Sequence, residues 1–331
     1  MILVTGATGI VGSHIVLALV QQQEPVRILL RSEEHLWVLA DLLEYHGVAA
    51  QPEIVIGDIE DPISLNDAFN GCTTCYHAAA LVSFNEADER SLAEANTQGT
   101  ENVVNACLAH GSELCFISST ASIGDPNVEG VRNEECEWGT DKGKAAYTLS
   151  KRYAELAVCR GIEEGLTAVI VNPGIVIGPG NWGKSSTSIF LTGINGMSLY
   201  PRGSNGFVDA RDIAEISLRM MRDPVNYRGQ HLLIGENLTF KEMFALLASA
   251  GGVRGPRFGV ANSLVKPLIS ILRTLEFFSL NPLKINANSL RSSIAENRYS
   301  NKKVLERGFT FRTMQEAIAY TLSLYQRHQN D

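Results

Sequence analysis

Between residues 146 and 151 the chain reads Ala-Tyr-Thr-Leu-Ser-Lys, which sets the phenol of Tyr147 and the amine of Lys151 four positions apart. If this stretch is helical, the two side chains lie one turn apart on one face. An ammonium beside a phenol favours the phenolate and lowers a pKa that is about 10 in isolation. Such a phenol can exchange a proton with a substrate oxygen near neutral pH, while a nicotinamide exchanges a hydride with the carbon that bears it. The same spacing also occurs on ordinary helix surfaces. The reading therefore depends on a cofactor site and on a third polar group.

A cofactor site is written into Thr-Gly-Ala-Thr-Gly-Ile-Val-Gly, residues 5–12, directly after an apolar run at 2–5. Glycines at 6, 9 and 12 let the backbone turn tightly and approach a pyrophosphate. Thr8, Ile10 and Val11 fill the spaces between them, and the helix that follows turns its free N–H groups toward the anion. The second apolar run ends at Arg31, nineteen residues past Gly12. A guanidinium there suits a 2′-phosphate and offers a bare ribose diol little, so NADP is the expected cofactor. Glu33 and Glu34 follow closely and support NAD as the alternative. Asp58 and the backbone of Ile59, ending the third run, are expected beside adenine. Ala78, Ala79 and Ala80 after the fourth run are small enough to let a ribose or phosphate pass close. His77 ends that run and reads as a packed, hydrogen-bonded side chain rather than a catalyst.

Positioning these groups requires a particular scaffold. Buried-strand patterns at Ile2–Thr5, Pro25–Leu30, Glu53–Ile56, Thr73–His77, Leu114–Ser118 and Thr167–Asn172 alternate with helical patterns such as Ala93–His110. That alternation implies right-handed crossovers and a parallel sheet. The expected fold is α/β, a Rossmann-type doubly wound parallel sheet. It should occupy residues 1–175, with 207–235 returning to it, and carry a smaller, mostly C-terminal α/β substrate-binding lobe from 176–206 and 236–331. Further helical patterns fall at 209–222, 239–249, 261–278 and 313–328. Within 263–280, Leu264, Leu268, Ile271, Leu272 and Leu275 recur at near-helical spacing among few charges. This segment reads either as a helix packed on its own core or as an apolar lid over a hydrophobic ligand, able to touch a membrane surface.

The bulk composition narrows the function classes. The 331 residues are 45% hydrophobic and 19% charged, with a net charge of -8, which argues against a nucleic-acid binder. Six cysteines (72, 75, 107, 115, 136 and 159) lie mostly in apolar runs, as reduced core thiols do. Cys72 and Cys75 spell C-x-x-C, but no second Cys/His pair accompanies them, so no metal is expected. Residues 2–20 lack a basic start and are interrupted by glycines, so they read as fold rather than leader. No run of eighteen uncharged apolar residues suggests a membrane span, and the cytoplasm is the expected location.

Taken in order, TGATGIVG, GDI, HAAA, NTQGT (96–100), ISSTASIG (117–124), YTLSK, NPGIVIGPG (172–180), GFVDARDIA (206–214) and a tail YSNKKVLERGFTFRTMQEAI resemble the extended short-chain dehydrogenases/reductases. That is the epimerase/dehydratase family, and the resemblance is to its dihydroflavonol-reductase-like and 3β-hydroxysteroid-dehydrogenase-like members. It implies that Ser119, five residues before Gly124, is the hydroxyl that holds a substrate oxygen against Tyr147, with Ser118 as the alternative. Thr120 becomes a pocket wall, Asn172 and Arg202 face the substrate, and Asn96 supports a proton path to Lys151. Pro173, Gly174, Ile175 and Val176 form the nicotinamide wall. The helices near 93–110 and 144–164 would make a homodimer. Two departures from the family pattern bear on the reaction. Ser119 is followed by Thr120-Ala121 rather than the Asp-Glu pair of dehydratases, and Asn205 stands where epimerases carry a diphosphate-clamping Arg. Asp209, Arg211 and Asp212 read as a polar network between lobes. The implied activity is an NADP-preferring interconversion of a ketone or aldehyde with an alcohol on a hydrophobic small molecule. An NAD-retaining nucleotide-sugar epimerase and a non-catalytic dinucleotide sensor are the competing readings.

Overall fold

Short runs rich in Val, Ile and Leu that must be buried on both faces form parallel strands, and the longer amphipathic runs between them form the covering helices. The computed structural model describes residues 1–83, 85–260 and 287–330. In the first part of the chain, β1 (Ile2–Thr5), α1 (Ile10–Gln21), β2 (Val26–Leu30), α2 (Leu36–Tyr45), β3 (Glu53–Ile56), α3 (Pro62–Phe69) and β4 (Thr74–His77) follow one another. Then come α4 (Glu89–Leu92), a π-helical turn at Ala93–Gln98, α5 (Gly99–His110), β5 (Glu113–Ile117), a 3-10 turn at Thr120–Ser122, α6 (Ala146–Glu163) and β6 (Ala168–Pro173). The remainder consists of β7 (Ile175–Ile177), α7 (Ser186–Ile194), β8 (Leu199–Pro201), β9 (Ser204–Asp209), α8 (Ala210–Met220), β10 (Gly229–Leu233), β11 (Glu236–Thr239), α9 (Phe240–Ala250), β12 (Phe258–Val260), α10 (Ala287–Ser293), α11 (Lys302–Leu305) and α12 (Met314–Asn330).

Seven of these strands form one sheet in the order β10-β6-β5-β4-β1-β2-β3, every neighbouring pair parallel. The chain winds one way from β1 to β3 and the other way from β4 onward, so the switch point lies between β1 and β4, where such sheets bind ligands. Successive strand residues face opposite layers. Val4, Ile28, Cys115, Ile117 and Val169 pack with Ile15 of α1 and Ile213 of α8, whereas Leu3, Leu29, Phe116 and Ile170 pack with Val103 of α5 and Val158 of α6. A separate core of Phe190, Phe207, Phe244, Leu247 and Met314 holds the small sheet β11-β9-β7 to α7, α9 and α12.

The sequence pattern and the structure part company in two places. The run 93–110 is not one α-helix: a π turn interrupts it around Asn96, whose buried side chain bonds outside the helix. β10 went unrecognised because its polar Gly-Gln-His start masks the apolar pair Leu232 and Leu233. The apolar segment 263–280 lies outside the described residues. Asp209, Arg211 and Asp212, at the start of α8, form a polar network with the tail of the chain. Arg211 pairs with Asp209 at 2.5 Å and stacks its guanidinium 4.1 Å from the Tyr320 ring centre, and Arg312 pairs with Asp212. All six cysteines are free, and among the described residues no cluster could hold a metal and no helix is long and apolar enough to cross a membrane.

Candidate active site

The site is built at the carboxyl ends of β1, β4, β5 and β6. After β1 the backbone reverses through Gly6, at φ 71°, where any side chain would be strained. A Cβ there would come within 2.5 Å of Ala79 N and within 2.6 Å of the Ala78 carbonyl carbon. A Cβ on Gly12 would strike the Gly6 carbonyl. Gly9 is the N-cap of α1 and supplies no side-chain cap, so the first N–H groups of that helix remain open to an anion. The missing side chains thus leave a backbone cradle that fits a dinucleotide pyrophosphate. Ile10 packs its side chain on Gly178 and Gly180, which brings the loop after β7 over the start of α1.

The other predicted cofactor residues surround this turn. Ala78 N donates to the Thr5 carbonyl at 3.2 Å, and Ala79 N donates to Thr5 Oγ1 at 3.3 Å, so the chain from Ala78 to Ala80 runs beside the cradle. Arg31 is exposed at the end of β2 and makes no hydrogen bond or ion pair among the described residues. Its charge pulls down the carboxyl of Glu60, which burial otherwise lifts. Asp58 turns its carboxylate back to the Glu60 N–H at 3.0 Å. The Ile59 side chain is packed against Gly99, leaving only backbone to face a ligand, and its carbonyl accepts from Asn102 at 3.0 Å. Pro173 ends β6, and Gly174, whose N–H reaches Leu233 O at 3.2 Å, leads into Val176 on β7.

The proton-handling groups come from β5 and α6. Ser119, immediately beyond β5, is hydrogen-bonded to the Tyr147 hydroxyl, and its Oγ also accepts the Ala121 N–H at 3.1 Å. Lys151 is 3% exposed, and its Nζ donates to the Ile117 carbonyl at 3.1 Å. It lies 5.3 Å from the centre of the Phe116 ring, against which His77 is stacked. Burial brings the lysine down from 10.5 to about 8, and the carboxylate of Glu155 opposes that fall. His77 is held neutral, with its pKa driven to about 3 by burial and then by Lys151, and bridges Thr5 and Thr100 at 2.7 and 3.1 Å. It is the packed structural group that its position at a strand end suggests.

Two expectations, for Tyr147 and Asn172, need correction. The phenol of Tyr147 is not lowered: burial raises it, and only the Ser119 hydrogen bond pulls the other way. Burial of the hydroxyl is the dominant influence on it. Asn96, expected to support a water and proton path to Lys151, gives its side chain to the Leu81 backbone, at 2.7 and 2.9 Å, and to Ser150 Oγ at 2.9 Å. It ties the loop after β4 to α6. Asn172 is completely buried and cannot meet a substrate, because its Nδ2 donates to Glu155 Oε2 at 2.7 Å and to Ser122 Oγ at 3.0 Å. Thr120 is hydrogen-bonded by Tyr299, a buried tyrosine from the tail. Arg202 is exposed in the turn between β8 and β9, alongside Gly259, and Asn205 folds its amide back onto the Gly206 N–H at 2.9 Å.

Sequence reasoning missed Glu155. It is fully buried, and it accepts from Ser118 Oγ and Ser122 Oγ at 2.7 Å each, from Asn172, and from Gln230 of β10. The available signal was its spacing, four residues beyond Lys151 and eight beyond Tyr147, which puts all three on one face of α6.

Comparison with known proteins identifies the family and the fold. The profile of the NAD dependent epimerase/dehydratase family matches residues 2–235. The chain is 28% identical over 294 residues to sterol demethylase protein B of Methylococcus capsulatus, covering 87% of each chain. It is 30% identical over 260 residues to cinnamoyl-CoA reductase 1 of Oryza sativa subsp. japonica, covering 75% of each. The crystal structure of gox2253 superposes with a TM-score of 0.81 at 26% identity, covering 99% of this chain and 98% of that one.

Proposed function

This chain belongs to the NAD dependent epimerase/dehydratase family of NAD(P)-dependent enzymes, and from that premise we propose that it is an NADP(H)-preferring reductase or dehydrogenase of a hydrophobic carbonyl or alcohol. The observation that carries the reading is the hydrogen bond between Ser119 and Tyr147 at the strand end that also holds Lys151. A bound nicotinamide supplies or accepts the hydride. Ser119 orients the substrate oxygen, and Tyr147 passes it a proton or takes one from it. A phenol kept protonated by burial is suited to donating, which favours the reductive direction. Lys151 supplies a buried positive charge that stabilises negative charge as it develops on the phenol oxygen.

NADP preference rests on Arg31. It is exposed, without an ion pair among the described residues, and just past the strand beside the glycine cradle, where a 2′-phosphate can draw it into a charge-assisted bond. The hydrophobic character of the substrate is supported by the relatives named for sterols and cinnamoyl-CoA, and the reductase class by the latter. A homodimer is supported by Tyr153 and Leu156 on α6, exposed to 43% and 41% beside α5. The free, mostly buried cysteines suit a reducing cytoplasm.

The test is consumption of NADPH by the purified protein with a panel of aryl, acyl and sterol carbonyl compounds. Oxidation of NADPH in step with alcohol formation supports the proposal. Inversion of a nucleotide sugar without net redox change would replace it with the epimerase reading, and cofactor binding without any turnover would replace it with the sensor.

A further inference from the structure

Three consecutive residues at the end of β5 are each taken by a different turn of α6. The Ile117 carbonyl accepts from Lys151 at 3.1 Å, Ser118 Oγ donates to Glu155 at 2.7 Å, and Ser119 is hydrogen-bonded to Tyr147. The reductase reading uses the first and third of these contacts and leaves the middle one without a task. Yet Glu155 is the most heavily bonded side chain of the group. Its Oε2 accepts from Ser118, Ser122 and Asn172, each at 2.7 Å, and its Oε1 accepts from Gln230.

Every one of those partners is a neutral donor. The amide N–H groups of Asn172 and Gln230 can only donate, and they approach one carboxyl oxygen each, so both oxygens are met as acceptors. A carboxylate with no exposed surface is costly unless something compensates it. The compensating charge is Lys151, one turn earlier on the same face of α6, on which Glu155 is the opposing electrostatic influence to burial. The groups facing Lys151 are few among the described residues. From α6 it is Glu155, from β4 the neutral His77, and from β5 the uncharged Phe116 ring and Ile117 carbonyl. Glu155 is therefore the anion that meets this cation.

We propose that Glu155 is a positioning residue with two effects: it clamps the end of β5 so that Ser119 faces Tyr147, and its charge keeps Lys151 protonated at working pH. The inference deepens the reductase reading and rests on it for the consequence in turnover, but not for the effect on Lys151. The clamp reaches further than β5, because the same carboxylate gathers Ser122 of the 3-10 turn, Asn172 of β6 and Gln230 of β10. Asn172 and Ser122 also bond the Ser119 carbonyl directly, at 3.3 and 2.7 Å, and Glu155 joins both of them to Ser118.

The two effects separate in two variants, read by two measurements. The first is titration of the Lys151 side chain by nuclear magnetic resonance in protein without cofactor, the signal being assigned by its loss in Lys151→Arg. The wild-type midpoint is expected at about 8. Glu155→Gln removes the charge and keeps the shape, and it should lower the midpoint by at least one unit, a roughly tenfold change in proton affinity. Glu155→Asp keeps the charge but withdraws it by one methylene, and it should leave the midpoint within half a unit while kcat for NADPH-dependent reduction falls roughly tenfold or more and KM for NADPH holds. An unchanged midpoint in Glu155→Gln overturns the charge effect, and wild-type kcat in Glu155→Asp overturns the clamp. If Glu155→Gln proves insoluble, Glu155→Gln combined with Gln230→Glu returns a carboxylate to the cluster, and a midpoint near the wild-type value supports the charge effect whereas a lowered one overturns it. A wild type that turns over no carbonyl sinks the reductase reading alone, since the titration still reports on Glu155 and Lys151.

Discussion

The cradle after β1 and the cluster beneath α6 stand at the same edge of one sheet and are built on opposite terms. At the cradle the chain has discarded side chains, so that bare backbone N–H groups and a helix N-terminus can meet a large anion. At the cluster it has buried Glu155 among neutral donors and given the Lys151 ammonium a backbone carbonyl as acceptor. The cradle works by steric absence, which a single methyl group destroys. The cluster works by electrostatics in a dry interior, which a single charge change alters. Holding Lys151 there with a pKa near 8 opposes folding by about 3 kcal/mol below pH 8. That penalty fades as the pH rises toward 10.5, where the unfolded chain also loses the proton. A fold that carries such a cost is storing charge for a purpose.

The contrast can be broken at either end. The largest effect is expected at the cradle: Gly6→Ala meets a positive φ and the Ala78–Ala79 backbone at once. It should lower stability by about 2–4 kcal/mol and weaken NADPH binding roughly 100-fold. Calorimetric unfolding and titration with NADPH measure the two together, and unchanged binding would show that no pyrophosphate approaches this turn. A smaller effect belongs to the charge at the edge of the cradle. Arg31→Ala should raise the dissociation constant of NADPH roughly tenfold, as loss of one charge-assisted hydrogen bond does, and leave that of NADH alone. Equal shifts for both cofactors, or none, would remove the basis for NADP preference.

The smallest change needs no substitution. Lys151 loses its proton around pH 8, so the rate of reduction should halve near that pH and continue falling above it. The sign follows from the shift: the lysine is charged below its lowered pKa and neutral above it, and the phenol is lifted by burial and stays protonated through the same range. A rate that rises through pH 8 to 9 would mean that another group governs proton transfer.

The two regions also differed in how plainly the sequence announces them. A glycine turn is local, and residues 5–12 after an apolar run state the turn, its helix and its ligand chemistry in one stretch. Most strands were legible for the same reason, since a doubly buried strand must be apolar throughout. The cluster is assembled from β5, β6, β10 and α6, and nothing adjacent to Asn172 or Gln230 says that both will end on Glu155. The Tyr147–Lys151 spacing pointed to helix α6, yet it led to the wrong sign for the phenol, because spacing does not reveal how deeply the hydroxyl is buried. Asn96 was likewise visible as a polar residue in a helix. Its partners depend on a π turn that a periodicity of 3.6 does not encode.

One measurement bears most directly on the whole account: transient NADPH oxidation by wild type and Tyr147→Phe with an active carbonyl substrate, with cofactor affinity measured on the same samples. The account predicts a fall in the reduction rate of about 1,000-fold, within the range that loss of a positioned acid produces, while the dissociation constant for NADPH changes less than about twofold. A Tyr147→Phe protein that reduces its substrate at the wild-type rate would contradict it.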